Sequence, residues 1–269
     1  MTEKHLIPQD MRSLIASRLD AVEREERVRL LFAVESGSRA WGFPSPDSDY
    51  DVRFVYVREP DWYLSLDTRR GVIELPIEGD LDINGWDLKK ALQLLLKPNP
   101  VLLEWIRSPI VYRADRDAMH KIAGLGEKVA YQRPSAHHYL HLAESQYRRF
   151  IAGETRVALK KYFYSLRPAL ALMWLRTNPD APVPMNLGEL RGGVSLPADV
   201  SGFLDELLAK KAVSKELGDG VRHEALDRLI ENEIEVARNN VTDLPVGDTE
   251  LLEEANALFR EIVGGQHEL

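Results

Sequence analysis

Between Glu35 and Val57 the chain reads ESGSRAWGFPSPDSDYDVRFVYV. Gly37 and Ser38 form a Gly-Ser pair, and Ser38 stands eleven residues ahead of Asp49, the first of two aspartates that are two apart, Asp49 and Asp51. LLFAV (30–34) lies just before this stretch and VRFVYV (52–57) closes it; both are strand-forming sequences. In a strand, residues i and i+2 point the same way. Asp49 and Asp51 are therefore expected to set two carboxylates side by side on one surface. Folding alone disfavours this, because like charges held close together repel. A divalent cation removes the repulsion, and the segment is expected to be a magnesium and nucleotide site.

The rest of the chain narrows the classes open to it. A length of 269 residues suits one large domain or two small ones. Hydrophobic residues at 44% and charged residues at 29% describe an ordinary globular protein. Cysteine is absent, which excludes a disulfide framework and a cysteine zinc site and suits a reducing compartment. The opening MTEKHLIPQDMRSL lacks the apolar core of a signal peptide, and no apolar run approaches the roughly 18 residues of a membrane span. The expected setting is cytoplasmic, with no membrane partner. A net charge of −8 argues against a protein that coats nucleic acid nonspecifically. It leaves room for a local basic stripe: Arg148, Arg149, Arg156, Lys160, Lys161, Arg167 and Arg176 are opposed in sequence only by Glu154. The plain reading of that stripe is a solvated helix face.

Periodicity predicts a helix over 7–29, in which Met11, Leu14, Ile15, Leu19 and Val22 recur at three- and four-residue spacing. Strands are expected at 30–34 and 50–57, an edge strand at 71–75 and a further strand at 81–86. Asp87 should cap a helix to about 96, and another helix should cover 101–107. Asp115 begins a helical region, and from about 135 only helices are expected, at 135–151, 155–176, 202–216, 222–241 and 247–263. Pro168 should kink the second of these. The expected fold class is α+β, a mixed sheet with flanking helices followed by an all-α helical bundle. The boundary is expected near 130, giving a domain over 1–130 and a helical domain over 131–269.

Gly37 and Ser38 fall at a strand-to-helix turn, where free backbone N–H groups form a ready anion site. Gly37 would let the backbone approach a phosphate, and the Ser38 hydroxyl could donate to it. An ordinary turn with Ser38 as N-cap is the plainer reading of the pair taken alone. Arg39 is equally suited to phosphate contact and to a surface salt bridge. Trp41 and Phe43 read more readily as core or loop anchors than as base-stacking platforms. A calcium loop starting at Asp47 fails, because its sixth and twelfth positions are Val52 and Arg58 rather than Gly and Glu. His137, His138 and His141 lack the patterns of a zinc site.

Gly-Ser followed by Asp-x-Asp in a strand resembles the signature of the DNA polymerase β superfamily of nucleotidyltransferases. Three blocks in order are similar to the family of RNA-ligase-associated predicted nucleotidyltransferases: GSRAWGFPSPDSDYDVRFVYV, GWDLKKALQLLLKPNPVLLEWIRSPIVY and KKYFYSLRPALALMWL. The resemblance implies a polymerase-β-like nucleotidyltransferase fold. It also implies transfer of NMP from an NTP such as ATP to an acceptor hydroxyl, with Mg2+ or Mn2+ as cofactor. A two-metal mechanism needs a third carboxylate on a neighbouring strand. Asp82, an acid between Leu81 and Ile83, is favoured for it and Asp87 is the alternative. The resemblance assigns Lys160 and Lys161 to the triphosphate. Tyr164, one helical turn after Lys160, is the candidate for base or ribose. An RNA 3′ end, hence RNA repair or modification, is the implied acceptor. Nucleotidyl transfer to a protein or small molecule, as in AMP-transferring antitoxins, and a catalytically silent nucleotide-binding regulator remain as alternatives.

Overall fold

The computed structural model describes residues 7–67, 69–97, 99–129, 132–214, 217–241 and 251–265. In chain order the first elements are α1 (Gln9–Glu26), β1 (Val28–Glu35), α2 (Gly37–Ala40), β2 (Tyr50–Arg58), α3 (Pro60–Tyr63), β3 (Val72–Glu74), β4 (Leu81–Asp87), α4 (Leu88–Leu96), α5 (Pro100–Ile106), β5 (Val111–Ala114) and α6 (Arg116–Lys128). There follow α7 (Gln132–Phe150), β6 (Arg156–Ala158), α8 (Lys160–Thr177), α9 (Leu187–Gly192), α10 (Ala198–Val213), β7 (Asp219–Val221), α11 (Glu224–Asn240) and α12 (Leu251–Gly264). Contacts divide the described chain into two compact units. The first draws on 1–40, 49–129 and 247–269, and the second on 41–48 and 130–246.

In the first unit the strand order is β3-β4-β2-β1-β5. β2 runs parallel to β4, and every other pair is antiparallel, which makes the sheet mixed as expected. Side chains alternate across β2. Tyr50, Val52, Phe54 and Tyr56 join one buried cluster with Ile15, Leu19 and Val22 of α1, so the apolar stripe of that helix closes one face of the sheet. The other face changes character along the strand. Asp51 and Arg53 are half-buried, whereas Val55 and Val57 are fully buried where α4 and α12 pack on β2. The polar half of that face carries the candidate site.

Three local features depart from the sequence reading. β5 is a strand for which the sequence reading assigned no element; four half-buried residues at a sheet edge are too short a run to show alternation. α3 is a single turn opened by Pro60 at its first position. The region after 135 is not purely helical, because β6 and β7 form a small antiparallel ribbon.

The expected cut lay near 130, with 131–269 as one helical block. The contacts instead put α12 with the sheet, through its buried face of Ala255, Leu258, Ile262 and Val263. Phe259 meets Tyr63 edge-on at 4.9 Å between ring centroids, and Lys121 pairs with Glu261 at 2.6 Å.

The second unit centres on α7, α8 and α11. α8 continues through Pro168 as one helix. Buried Tyr162 donates its hydroxyl hydrogen to Asp227 at 3.0 Å and accepts the His223 N–H at 2.9 Å. The segment Trp41–Ser48 belongs to this unit. Phe43 stacks on Phe163 with centroids 4.8 Å apart, and Trp41 lies under the Arg167 guanidinium at 4.6 Å. The Leu187 N–H donates to the Trp41 carbonyl at 2.8 Å. Both aromatics are thus anchors, as the sequence suggested.

Gly85 in β4 lies against Phe54, and a Cβ there would stand 2.3 Å from the ring. Phe54 is fully buried and has no room to move aside. Gly85→Ala is expected to destabilise the protein by about 1–3 kcal/mol through overpacking, read from the urea-unfolding midpoint. An unchanged midpoint would show that the ring yields freely.

Candidate active site

The end of β1 and the start of β2 are bolted together around Asp51. Glu35, the last residue of β1, is fully buried, and its Oε1 accepts the Asp51 N–H at 2.9 Å. The Ser36 N–H donates to the Asp51 carbonyl at 2.8 Å. Ser108 Oγ donates to the Glu35 carbonyl at 2.6 Å, and the Tyr112 hydroxyl donates to Glu35 Oε2. Both backbone polar groups of Asp51 are therefore fixed by residues that are themselves fixed.

The Asp51 carboxylate lies over the Gly-Ser turn. Gly37 has φ +57, and a Cβ on it would stand 1.9 Å from Asp51 Oδ2. Glycine is needed here twice, for the left-handed backbone and for the close approach. α2 is a single turn, so the helix dipole expected at this point is that of one turn only. Ser38 is half-buried beside Gly37.

Asp51 pairs in register with Asp82 across the parallel β2 and β4, which puts both carboxylates on the same face. Between them lies Arg53, a residue that the sequence reading passed over. Its Nη2 donates to Asp51 Oδ1 at 2.9 Å and to Asp82 Oδ2 at 2.7 Å. Its Nη1 donates to the backbone carbonyls of Val52 and Asp82, each at 3.1 Å. Asp49 is exposed just ahead of the strand.

Burial raises the Asp51 carboxyl above its ordinary value, the Arg53 guanidinium pulls it down, and the charges of Asp82 and Asp49 push it up again. Asp51 thus feels the charge of both other acids. Among the described residues, no group of three His, Asp or Glu side chains is arranged to hold a metal ion as it stands. The donors that fit a single hard cation are Asp49 and the Asp51 oxygen not engaged by Arg53. Magnesium is commonly held by one or two carboxylates with waters and phosphates completing its shell.

Asp87, the alternative third acid, sits at the opposite end of β4, level with Tyr56. Its Oδ1 accepts the Lys89 N–H at 2.8 Å and its Oδ2 accepts the Tyr63 hydroxyl hydrogen at 2.8 Å. It is the N-cap of α4, buried and committed to that task. Arg39 is buried, donates to the Asp49 carbonyl at 3.1 Å and stacks on Tyr50 at 3.8 Å. It is a brace for the chain entering β2 rather than a surface side chain.

Lys160, Lys161 and Tyr164 stand at the start of α8, in the second unit. Lys161 Nζ lies 4.1 Å from the Phe150 ring centroid and 5.3 Å from that of Tyr164, whose side chain is exposed. The basic stripe does not stay whole. Arg167 is buried with Nη2 3.1 Å from the Met185 carbonyl, and Arg176 pairs with Glu233 at 2.9 Å.

The model of the RNA repair pathway DNA polymerase beta family (RlaP) matches residues 11–261. The chain belongs to the RNA repair pathway DNA polymerase beta family. That family places it with the polymerase-β-type nucleotidyltransferases. It is 38% identical over 253 residues to the uncharacterized protein YcgL of Bacillus subtilis (strain 168), across 94% of this chain and 96% of that protein. A solved nucleotidyltransferase-like protein from Exiguobacterium sibiricum is similar at 11% identity, over 92% of this chain and 79% of that one, with a TM-score of 0.31. A likeness of that size supports no argument about chemistry. No helix among the described residues is long and apolar enough to cross a membrane.

Burial lifts the Glu35 carboxyl from 4.5 to about 7, against the lowering effect of the Tyr112 and Asp51 hydrogen bonds. Between these values the native state holds a proton that the unfolded chain has released. Stability from Glu35 is therefore full below about pH 4.5 and is lost as pH rises through about 7. The loss amounts to about 3 kcal/mol if the whole shift is expressed. Glu35→Gln keeps the acceptor for Asp51 and removes the proton. It is expected to flatten the fall in unfolding free energy between about pH 5 and pH 8, measured by urea titration. A slope equal to that of the parent protein would refute the assignment.

Proposed function

We propose that this protein transfers NMP from an NTP to the 3′-hydroxyl of an RNA, releasing pyrophosphate, with a divalent cation such as Mg2+ held by Asp49 and Asp51. The observation that carries the reading is the placing of the Asp51 carboxylate. It lies against Gly37, with Asp49 just ahead of the strand and Asp82 opposite. Two hydrogen bonds fix its backbone, to Ser36 and to Glu35. A site built so rigidly around mutually repelling carboxylates suits a bound cation and the phosphates that come with it.

When bound, the cation would neutralise charge on the triphosphate. The chain's own residues do the positioning. Gly37 and Ser38 offer backbone N–H groups and a hydroxyl to phosphate oxygens. Arg39, though buried, brings positive charge to the chain entering β2, where it bonds to the Asp49 carbonyl. The acceptor oxygen attacks the α-phosphorus, the bond to the β-phosphate oxygen breaks, and pyrophosphate leaves. The acceptor proton passes to Asp82, on the sheet face shared with Asp51. Contact of Lys160, Lys161 and Tyr164 with the nucleotide rests on the family resemblance. The RNA acceptor rests on the description of the family, RNA repair pathway.

Asp49→Asn and Asp51→Asn are each expected to lower transfer at least ~100-fold. Asp49→Asn, being exposed, should leave the melting temperature in place. The assay incubates the protein with each α-labelled NTP, Mg2+ and total RNA. Label moving to RNA supports the proposal, and label appearing on protein points to AMP transfer instead. An Asp51→Asn protein with undiminished turnover would overturn the site.

A further inference from the structure

Arg53 stands in the position that a second metal ion would need. An ion shared by Asp51 and Asp82 would lie between their facing oxygens, Asp51 Oδ1 and Asp82 Oδ2, and both already accept from Arg53 Nη2. An arginine guanidinium is a permanent positive charge under physiological conditions. It is held by four hydrogen bonds, two from Nη1 to main-chain carbonyls on adjacent strands. Its side chain is only 15% exposed, so solvent would compensate little for its release. A dication placed beside it would meet direct repulsion at short range.

We infer that the site takes one divalent ion, and that Arg53 supplies in fixed form the positive charge that a second ion would bring. This rests on the nucleotidyl-transfer reading and revises its metal count. The sequence alone assigned Asp82 to a shared second ion. Here one oxygen of Asp82 is tied to a cation of the protein's own, and the pair of acids that Arg53 leaves to grip a metal on the Gly37 side is Asp49 with Asp51 Oδ2. Arg53 is a positioning residue in this scheme. It holds Asp51 and Asp82 at a fixed separation without touching the nucleotide.

Equilibrium dialysis against Mn2+ and a nonhydrolysable ATP analogue counts the ions. The native chain is expected to hold about one nucleotide-dependent Mn2+. Arg53→Met, which keeps the length and loses the charge, should hold about two. Arg53→Lys, which keeps a cation, should return to about one. A purely packing role for Arg53 would leave the count the same in all three. Two Mn2+ ions in the native chain, or one in a folded Arg53→Met, would overturn the inference while leaving nucleotide binding standing. Should Arg53→Met fail to fold by circular dichroism, the native count decides. A native chain that retains neither nucleotide nor Mn2+ overturns the proposed function itself, and this inference with it.

Discussion

Two carboxylates face each other across a parallel pair of strands, and an arginine from the same strand as one of them lies between. The geometry of the site follows from this arrangement. Parallel pairing of β2 with β4 sets Asp51 level with Asp82, and a shift of one residue would turn either acid to the opposite face. Left alone, the pair would push the strands apart at their shared end. Arg53 converts that repulsion into two ion pairs, and its other nitrogen bonds to the backbone of both strands. Removing one partner from so enclosed a network is strongly destabilising, because it leaves an uncompensated charge. The charge that holds the sheet together is thus also the charge that governs what else can bind there.

The site owes its place to an alternation that changes character along one strand. One face of β2 is apolar from end to end and meets α1. The other is polar at Asp51 and Arg53 and apolar at Val55 and Val57, where helices cover it. A strand apolar on both faces throughout would have no opening, and a fully alternating one would have no second layer of helices. The half-and-half pattern yields a covered sheet with one accessible polar corner. Glu35 and Gly37 finish that corner. One bonds to the backbone of Asp51, and the other leaves space for its carboxylate.

Much of this was legible in the sequence, for identifiable reasons. The Gly-Ser turn, Asp49 and Asp51 declare themselves through spacing, because period two and a strand-turn-strand layout are local facts, and Asp82 stands out as an acid between Leu81 and Ile83. The cap role of Asp87 was equally readable, standing as it does before an amphipathic run. What escaped was non-local or too short. Arg53 shares the period-two face of Asp51, so the signal was present, but only the pairing of β2 with β4 shows that it reaches Asp82. Glu35 reads as the polar end of an apolar strand. Its burial depends on Tyr112 from β5, a strand of four residues without readable alternation. Arg39 reads equally as a phosphate contact or a surface salt bridge, and Arg167 and Arg176 as a solvated helix face, whereas their partners are carbonyls and an acid not adjacent in sequence. Linear charge patterns cannot tell a solvated arginine from a buried clasp.

Neither unit is a continuous length of chain, and this bears on how the protein is made. The sheet is complete by β5, yet α12, which covers part of it, comes far later in the chain. Until then Val55 and Val57 lack one wall of their shelter, and the unit cannot close during the synthesis of the more than one hundred residues in between. Trp41 and Phe43 wait likewise for α8 before they find their partners. A nascent chain of this topology carries apolar sheet surface uncovered until α12 has been made, so the unit that begins first cannot be the first to finish.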